Sequence, residues 1–257
     1  MVAVSTAIRR AVNRTRHLLF PPTCLFCHQP LDDDQQGCCA ACLPNLKIWP
    51  TTVCERCGRV LPDHAAPGPC GHCLRSPPAQ VQTVSLYRYA GPVREAILAW
   101  KLQGDAVAAR WLVQTAADVI STHLGAHDLL LPIPMPLARM RRSGQHHSAD
   151  LCHWLAEISG ASVNWQLLRR IGEQPRQSSL SGRQRRHNMC KAFHLAADHK
   201  AALRDRIRQH GDFTSLWVVD DILTTGATLH YAAKAARPLG LPVHVLSLAR
   251  TPRKEEQ

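Results

Sequence analysis

Twelve consecutive residues leave few options for the fold around them: Trp217-Val218-Val219-Asp220-Asp221-Ile222-Leu223-Thr224-Thr225-Gly226-Ala227-Thr228. The short Val-rich apolar run reads as a strand buried in a parallel sheet. Two adjacent carboxylates fall where that strand ends, a glycine-centred loop follows, and residues 229–236 have the composition of a helix. Strand, acidic pair, tight loop and helix is the layout of a ligand site beyond the carboxyl ends of an open α/β sheet. Backbone N–H groups of Thr224, Thr225, Gly226, Ala227 and Thr228, with the helix N-terminus behind them, form a concavity suited to a phosphate monoester. Gly226 has no Cβ and tolerates the left-handed backbone such a turn requires. Asp220 and Asp221 repel phosphate, so they suit ribose hydroxyls or a Mg²⁺ that bridges to further phosphate. Asp and Thr also form turns and caps where no ligand binds, but the whole ordered string favours the ligand site.

The beginning of the chain has a different character. Nine of the eleven cysteines precede Arg75, and eight of them form Cys-x-x-Cys pairs: Cys24/Cys27, Cys39/Cys42, Cys54/Cys57 and Cys70/Cys73. The first two pairs recur as the last two with offsets of 30 and 31 residues, which indicates an internal duplication. Each Cys-x-x-Cys knuckle presents two thiolates, and two knuckles complete a closed tetrahedral Zn²⁺ site. The strict spacing, with no secretory signal pattern, points to metal in a reducing cytosol rather than to disulfides. Pairing within each repeat predicts one zinc on Cys24, Cys27, Cys39 and Cys42 and another on Cys54, Cys57, Cys70 and Cys73. A crossed scheme, first knuckle with third, is the alternative. Cys152 and Cys190 sit in core-like surroundings and read as packed thiols.

Domain organisation follows from these two ends. Residues 1–20 read as a short Arg-rich amphipathic helix stopped by Pro21 and Pro22, residues 21–78 as a double zinc-knuckle module, and residues 80–252 as the α/β domain. No apolar run approaches the length of a membrane span. Within the α/β domain, 81–89 reads as a strand or hairpin arm and 93–102 as a helix ending near Lys101. A helix capped by Asp105 then runs to about residue 124. The sequence further predicts a strand at 129–133, a helix over 145–158 and a last strand at 243–248. Arg139, Arg141 and Arg142 follow the second strand, facing the crevice of the acidic loop, where arginines suit a pyrophosphate. Arg169 opens a polar, lid-like stretch that ends at Lys191. The net charge is +12, much of it between residues 139 and 191, a block that fits a polyanion, a pyrophosphate or merely a solvated face.

The 220–228 string resembles the phosphoribosyl-pyrophosphate (PRPP) motif of type I phosphoribosyltransferases. That resemblance implies their parallel sheet flanked by helices, with ribose hydroxyls on the acidic pair and the 5-phosphate in the loop. A narrower resemblance covers nearly the whole chain. Leu-Phe-Pro-Pro-x-Cys-Leu-x-Cys at 19–27, the paired knuckles, Tyr-x-Gly-x-Val-Arg-x-x-Ile at 89–97, Lys101, Pro-Ile-Pro at 132–134, Gln177-x-x-Leu180, Arg185-x-x-Asn188 and Ala192-Phe193 are similar to the ComF family. It implies a zinc-finger module joined to a phosphoribosyltransferase-like domain, in a cytoplasmic bacterial protein linked to DNA uptake in natural transformation. One segment departs from that family: Ser143-Gly144-Gln145-His146-His147 stands where it usually reads Arg-Gly-Phe-Asn-Gln.

Two function classes follow. In the first, PRPP binds with Mg²⁺, Asp220, Asp221, Lys101 and Arg139 serve the chemistry, and a nucleophile replaces pyrophosphate at the ribose anomeric carbon. In the second, the basic face and the knuckles hold single-stranded DNA, with Trp100, Trp111 and Trp154 as stacking candidates and the PRPP site regulatory or vestigial. A third, purely structural reading makes the chain an inert α/β domain with a zinc-stabilised appendage.

Overall fold

A computed structural model describes residues 21–32, 35–136, 140–141, 144–171 and 192–252. The N-terminal helix expected over 1–20, Arg139, Arg142, Cys190 and the 172–191 part of the polar stretch lie outside the described residues.

The central sheet is built from β1 Thr83–Arg88, β2 Asp128–Pro132, β3 Ser162–Val163, β6 Ser215–Leu223 and β7 Val243–Arg250. All five strands run parallel, in the order β1-β7-β6-β2-β3. Alternation along them divides the interior in two, as the pleat requires. Leu130, Trp217, Val219, Leu246 and Leu248 face one core, and Leu129, Leu131, Leu216, Val218, Val243 and Val245 face the other.

Helices follow the strands as apolar periodicity dictates. Helix α1 (Gly71–Arg75) belongs to the cysteine-rich module. Helix α2 (Gly91–Gln103) buries Val93, Ala96, Ile97 and Trp100 on the first core and ends at Gly104, whose φ of 81° closes it in the left-handed conformation. The single helix expected to run to about residue 124 is two, α3 (Val107–Thr115) and α4 (Ala117–His123), which break at Ala116. Ala116 is itself buried, so the break keeps an apolar residue inside and left no Gly or Pro signal in the sequence. Helix α5 (His147–Ser159) completes this layer through Leu151, Cys152 and Leu155.

The opposite layer holds α6 (Ala197–His210), α7 (Ala227–Ala236) and a small antiparallel pair, β4 (Leu168–Arg170) with β5 (Phe193–Leu195). Helix α6 went unread in the sequence because only Leu203 and Ile207, one turn apart, give it an apolar face.

The cysteine-rich module docks on the free edge of β1. Ile48 bridges Tyr87, Trp49 N–H donates to the Leu86 carbonyl at 2.9 Å, and Arg88 N–H donates to the Lys47 carbonyl at 2.8 Å. These contacts cover a sheet edge that would otherwise expose unpaired backbone groups. Trp49, 4% exposed, anchors the junction: its indole Nε1 donates to the Gly58 carbonyl at 3.0 Å, and the Arg250 guanidinium lies 5.3 Å from its ring.

Candidate metal centres and acidic-loop site

The eight cysteines gather into two groups, Cys24, Cys27, Cys39 and Cys42, and Cys54, Cys57, Cys70 and Cys73, with ligand atoms within 4.8 Å of one another in each. This is the within-repeat pairing. The duplication extends to the backbone. Cys24 N–H donates to Gln29 and His28 N–H to Cys24, and thirty residues on Cys54 N–H donates to Arg59 and Gly58 N–H to Cys54. His28 (φ 60°) and Gly58 (φ 66°) hold the same left-handed position that closes each knuckle. Backbone N–H groups also aim at sulfur, Cys39 N–H at Cys24 Sγ (3.4 Å) and Cys70 N–H at Cys54 Sγ (3.1 Å), as they do for thiolates around a cation. Burial works to raise the Cys24 thiol, but the Cys39, Cys27 and Phe26 backbone donors outweigh it and bring it to about 6. Four soft thiolate donors in each close group fit Zn²⁺.

At the end of β6 the two carboxylates behave differently. Ser148 Oγ of α5 donates to Asp220 Oδ1 at 3.1 Å, and the Asp221 N–H donates to the same oxygen at 3.0 Å. Asp221 Oδ2 pairs with Lys101 Nζ of α2 at 2.7 Å. A regular strand sends neighbours to opposite faces, yet both carboxylates find partners on the same helical layer. Burial and the charge of Asp221 push Asp220 up to about 7, against the pull of the Asp221 N–H, Ser148 and Lys101. Burial and the same Asp220 charge hold the neighbouring Cys152 thiol well above its usual range, so it is a packed thiol.

The loop beyond is open. Thr224 and Thr225 are exposed, and Gly226 (φ 82°) precedes α7. The loop residues from Thr224 to Thr228 and the acidic pair are thus contiguous, with Lys101 brought in from far earlier in the chain by the packing of α2. The 143–147 segment that departs from the ComF pattern is committed to packing in its described residues. His146 Nδ1 accepts from the Ala149 N–H at 3.1 Å and caps α5, Gln145 Nε2 donates to the Gly104 carbonyl at 3.4 Å, and His147 packs edge-on to Trp100 at 5.1 Å.

The stacking candidates are corrected by the structure. Trp100 is fully buried, Trp154 packs on it at 4.8 Å, and Trp111 packs against Phe26 at 5.6 Å. Trp100 belongs to the first core, and Trp111 and Trp154 are half-buried against it. The exposed one is Trp165, at 58%, followed by the exposed Arg169 and Arg170 on β4. Its polar neighbourhood (Asn164, Gln166) was the sequence signal for exposure.

The parallel sheet and the twin four-cysteine centres together define an α/β protein fronted by a double zinc ribbon. A family model described as double zinc ribbon domain matches residues 15–74. Over most of its length the chain is similar to curated competence and DNA-utilization proteins. It is 29% identical to Competence protein F of Haemophilus influenzae over 237 residues, 88% of this chain and 96% of that protein. It is 28% identical to DNA utilization protein YhgH of Escherichia coli over 240 residues (91% and 99%). It is 25% identical to Competence protein ComFC of Bacillus subtilis over 242 residues (87% and 92%). Among the described residues no helix is long and apolar enough to cross a membrane.

Proposed function

We propose that this chain binds PRPP with Mg²⁺ as a phosphoribosyltransferase-like protein and handles single-stranded DNA in natural transformation. The observation that carries the PRPP reading is the acidic pair itself. Asp220 is a half-buried carboxylate pushed up to about 7 beside the buried carboxylate of Asp221, a charge arrangement that ribose hydroxyls or a divalent cation would satisfy. The donor set fits the group: carboxylate oxygens at a strand end and, next to them, hydroxyls and backbone N–H groups at a helix start. Thr224, Thr225, Gly226, Ala227 and Thr228 take the 5-phosphate, and Asp220 and Asp221 take the ribose hydroxyls or the Mg²⁺. Mg²⁺ supplies charge neutralisation for the pyrophosphate.

Lys101 pairs with Asp221 at 2.7 Å, and together with Arg139 it is the proposed cation partner of the pyrophosphate. If transfer chemistry operates, the bond from the anomeric carbon to pyrophosphate breaks as an acceptor bonds to that carbon, and these cations stabilise the leaving charge. The test is a thermal melt with PRPP and MgCl₂. The parent protein gains stability, and Asp220→Asn with Asp221→Asn abolishes the gain; no gain in the parent protein overturns the reading.

The DNA half rests on separate support: the relatives are named for competence and for DNA utilization. Trp165 adds an exposed aromatic in the same segment as the exposed Arg169 and Arg170, residue types that stack a base and neutralise a phosphate. In the alternative reading the chain is a non-catalytic zinc-containing nucleic-acid-binding protein whose PRPP site is regulatory or vestigial. Retention on single-stranded DNA that falls with salt supports DNA handling; absent or salt-insensitive retention contradicts it.

A further inference from the structure

The two carboxylates at the end of β6 are each half committed. Asp220 Oδ1 accepts from Ser148 Oγ at 3.1 Å and from the Asp221 N–H at 3.0 Å, while no donor meets its Oδ2 among the described residues. Asp221 Oδ2 pairs with Lys101 Nζ at 2.7 Å, and its Oδ1 likewise meets no donor among the described residues. Each carboxylate therefore keeps one oxygen for a ligand.

The two donors on Asp220 Oδ1 differ in kind. The Asp221 N–H belongs to the same strand and is fixed by it, one residue away. Ser148 comes from 72 residues earlier, in the first turn of α5, and ties the carboxylate to the helical layer. It is only 5% exposed, so it offers a ligand almost no surface of its own. A hydroxyl taken out of water costs free energy unless it is bonded, and this one gives its proton to a carboxylate of the candidate site, a charge-assisted bond when Asp220 is ionised. One helical turn on, Cys152 shares that face of α5 and is fully buried within the field of Asp220. A packed thiol holds the helix against the strand end, and the hydroxyl beside it sets the carboxylate.

We propose that Ser148 is a positioning residue of the acidic-loop site: its hydroxyl holds Asp220 Oδ1, so that Oδ2 is presented to the ribose hydroxyls or the Mg²⁺ of PRPP. This role presupposes PRPP at the acidic loop. Ser148 acts on the ligand only through Asp220, so the hydroxyl and not the bulk of the side chain is what binding requires.

The test is calorimetric titration of the full, zinc-loaded chain with PRPP and MgCl₂, in the parent and in three variants whose folding is checked by melting without ligand. Ser148→Ala removes the hydroxyl, Ser148→Cys keeps its shape but donates weakly, and Ser148→Thr keeps the donor. Ser148→Ala and Ser148→Cys weaken PRPP binding about tenfold, the loss expected for one hydrogen bond to a charged group, whereas Ser148→Thr retains most of the parent's affinity. Undiminished affinity in Ser148→Ala and Ser148→Cys overturns the assignment. Equal weakening in all three folded variants also overturns it, since the position would then matter for packing alone. A parent chain that does not bind PRPP is a different result: it removes the acidic-loop reading itself, and this role with it, whatever the variants do.

Discussion

Lys101 Nζ reaches Asp221 Oδ2 at 2.7 Å while Asp220, the adjacent carboxylate, takes Ser148 and a backbone N–H instead. Neighbouring carboxylates at one strand end are thereby made unequal. Asp221 is buried and paired with a cation, whereas Asp220 is half-buried and pushed up to about 7.

Asp220 sets a pH dependence. Its pKa in the folded protein, about 7, lies above the ordinary 3.8. The folded state therefore holds more protons than the unfolded state between those values, and stability falls as pH rises through that window. Asp220→Asn removes the slope. The variant melts above the parent at pH 8, by on the order of 1 kcal/mol after its weakened hydrogen bonds are set against the gain, and the difference shrinks at pH 5. Melting curves at both pH values in ligand-free protein check this, and a variant less stable than the parent at pH 8 contradicts it.

Lys101→Met removes a cation that draws Asp220 toward ionisation. The apparent titration of Asp220, followed by carboxylate carbon NMR, then moves upward from about 7. An unchanged midpoint would show that the ion pair is not felt by Asp220.

Both zinc centres are structural, so metal analysis finds about two zinc per folded chain. Cys24→Ser and Cys54→Ser each lower this to about one, but their effects on melting differ. The second ribbon is bonded directly to β1, the Glu55 carbonyl accepting from Thr83 N–H at 2.8 Å and the Arg56 carbonyl from Thr83 Oγ1 at 2.7 Å, and its Gly58 carbonyl holds the docking residue Trp49. Cys54→Ser accordingly costs more stability than Cys24→Ser. Equal losses would mean that the ribbon does not brace the sheet edge.

The knuckle pair His28 and Gly58 gives opposite mutational signs. His28→Gly relieves a left-handed non-glycine residue and stabilises by about 1 kcal/mol. Gly58→Ala destabilises, because a Cβ at φ 66° would also lie 2.9 Å from Arg250 Nη1 and 3.0 Å from Thr83 Cγ2. Melting of the zinc-loaded variants separates them.

Much of this architecture is legible in the sequence. The Cys-x-x-Cys offsets encode the twin metal sites because ligand spacing is local, and the run into Asp220 encodes β6 because a strand buried on both faces is apolar throughout. What stayed hidden depends on tertiary contact. Alternation alone would have parted Asp220 from Asp221, and only the packing of α2 and α5 on one layer explains their shared side. Trp100 and Trp154 read as available aromatics because helix-spaced tryptophans look alike whether the helix face is covered or open.

Trp165→Ala lowers single-strand DNA retention at low salt by up to about 1–3 kcal/mol in a base-stacking role. Arg169→Ala shallows the salt dependence, because one phosphate neutraliser is gone. Gel-shift titrations across a salt series read both.

The most direct test of the central claim is calorimetric titration of the zinc-loaded chain with PRPP in the presence of MgCl₂. Saturable one-to-one binding that disappears in the Asp220→Asn, Asp221→Asn protein is the predicted result. No binding to the parent chain, or binding that survives loss of both carboxylates, contradicts the account.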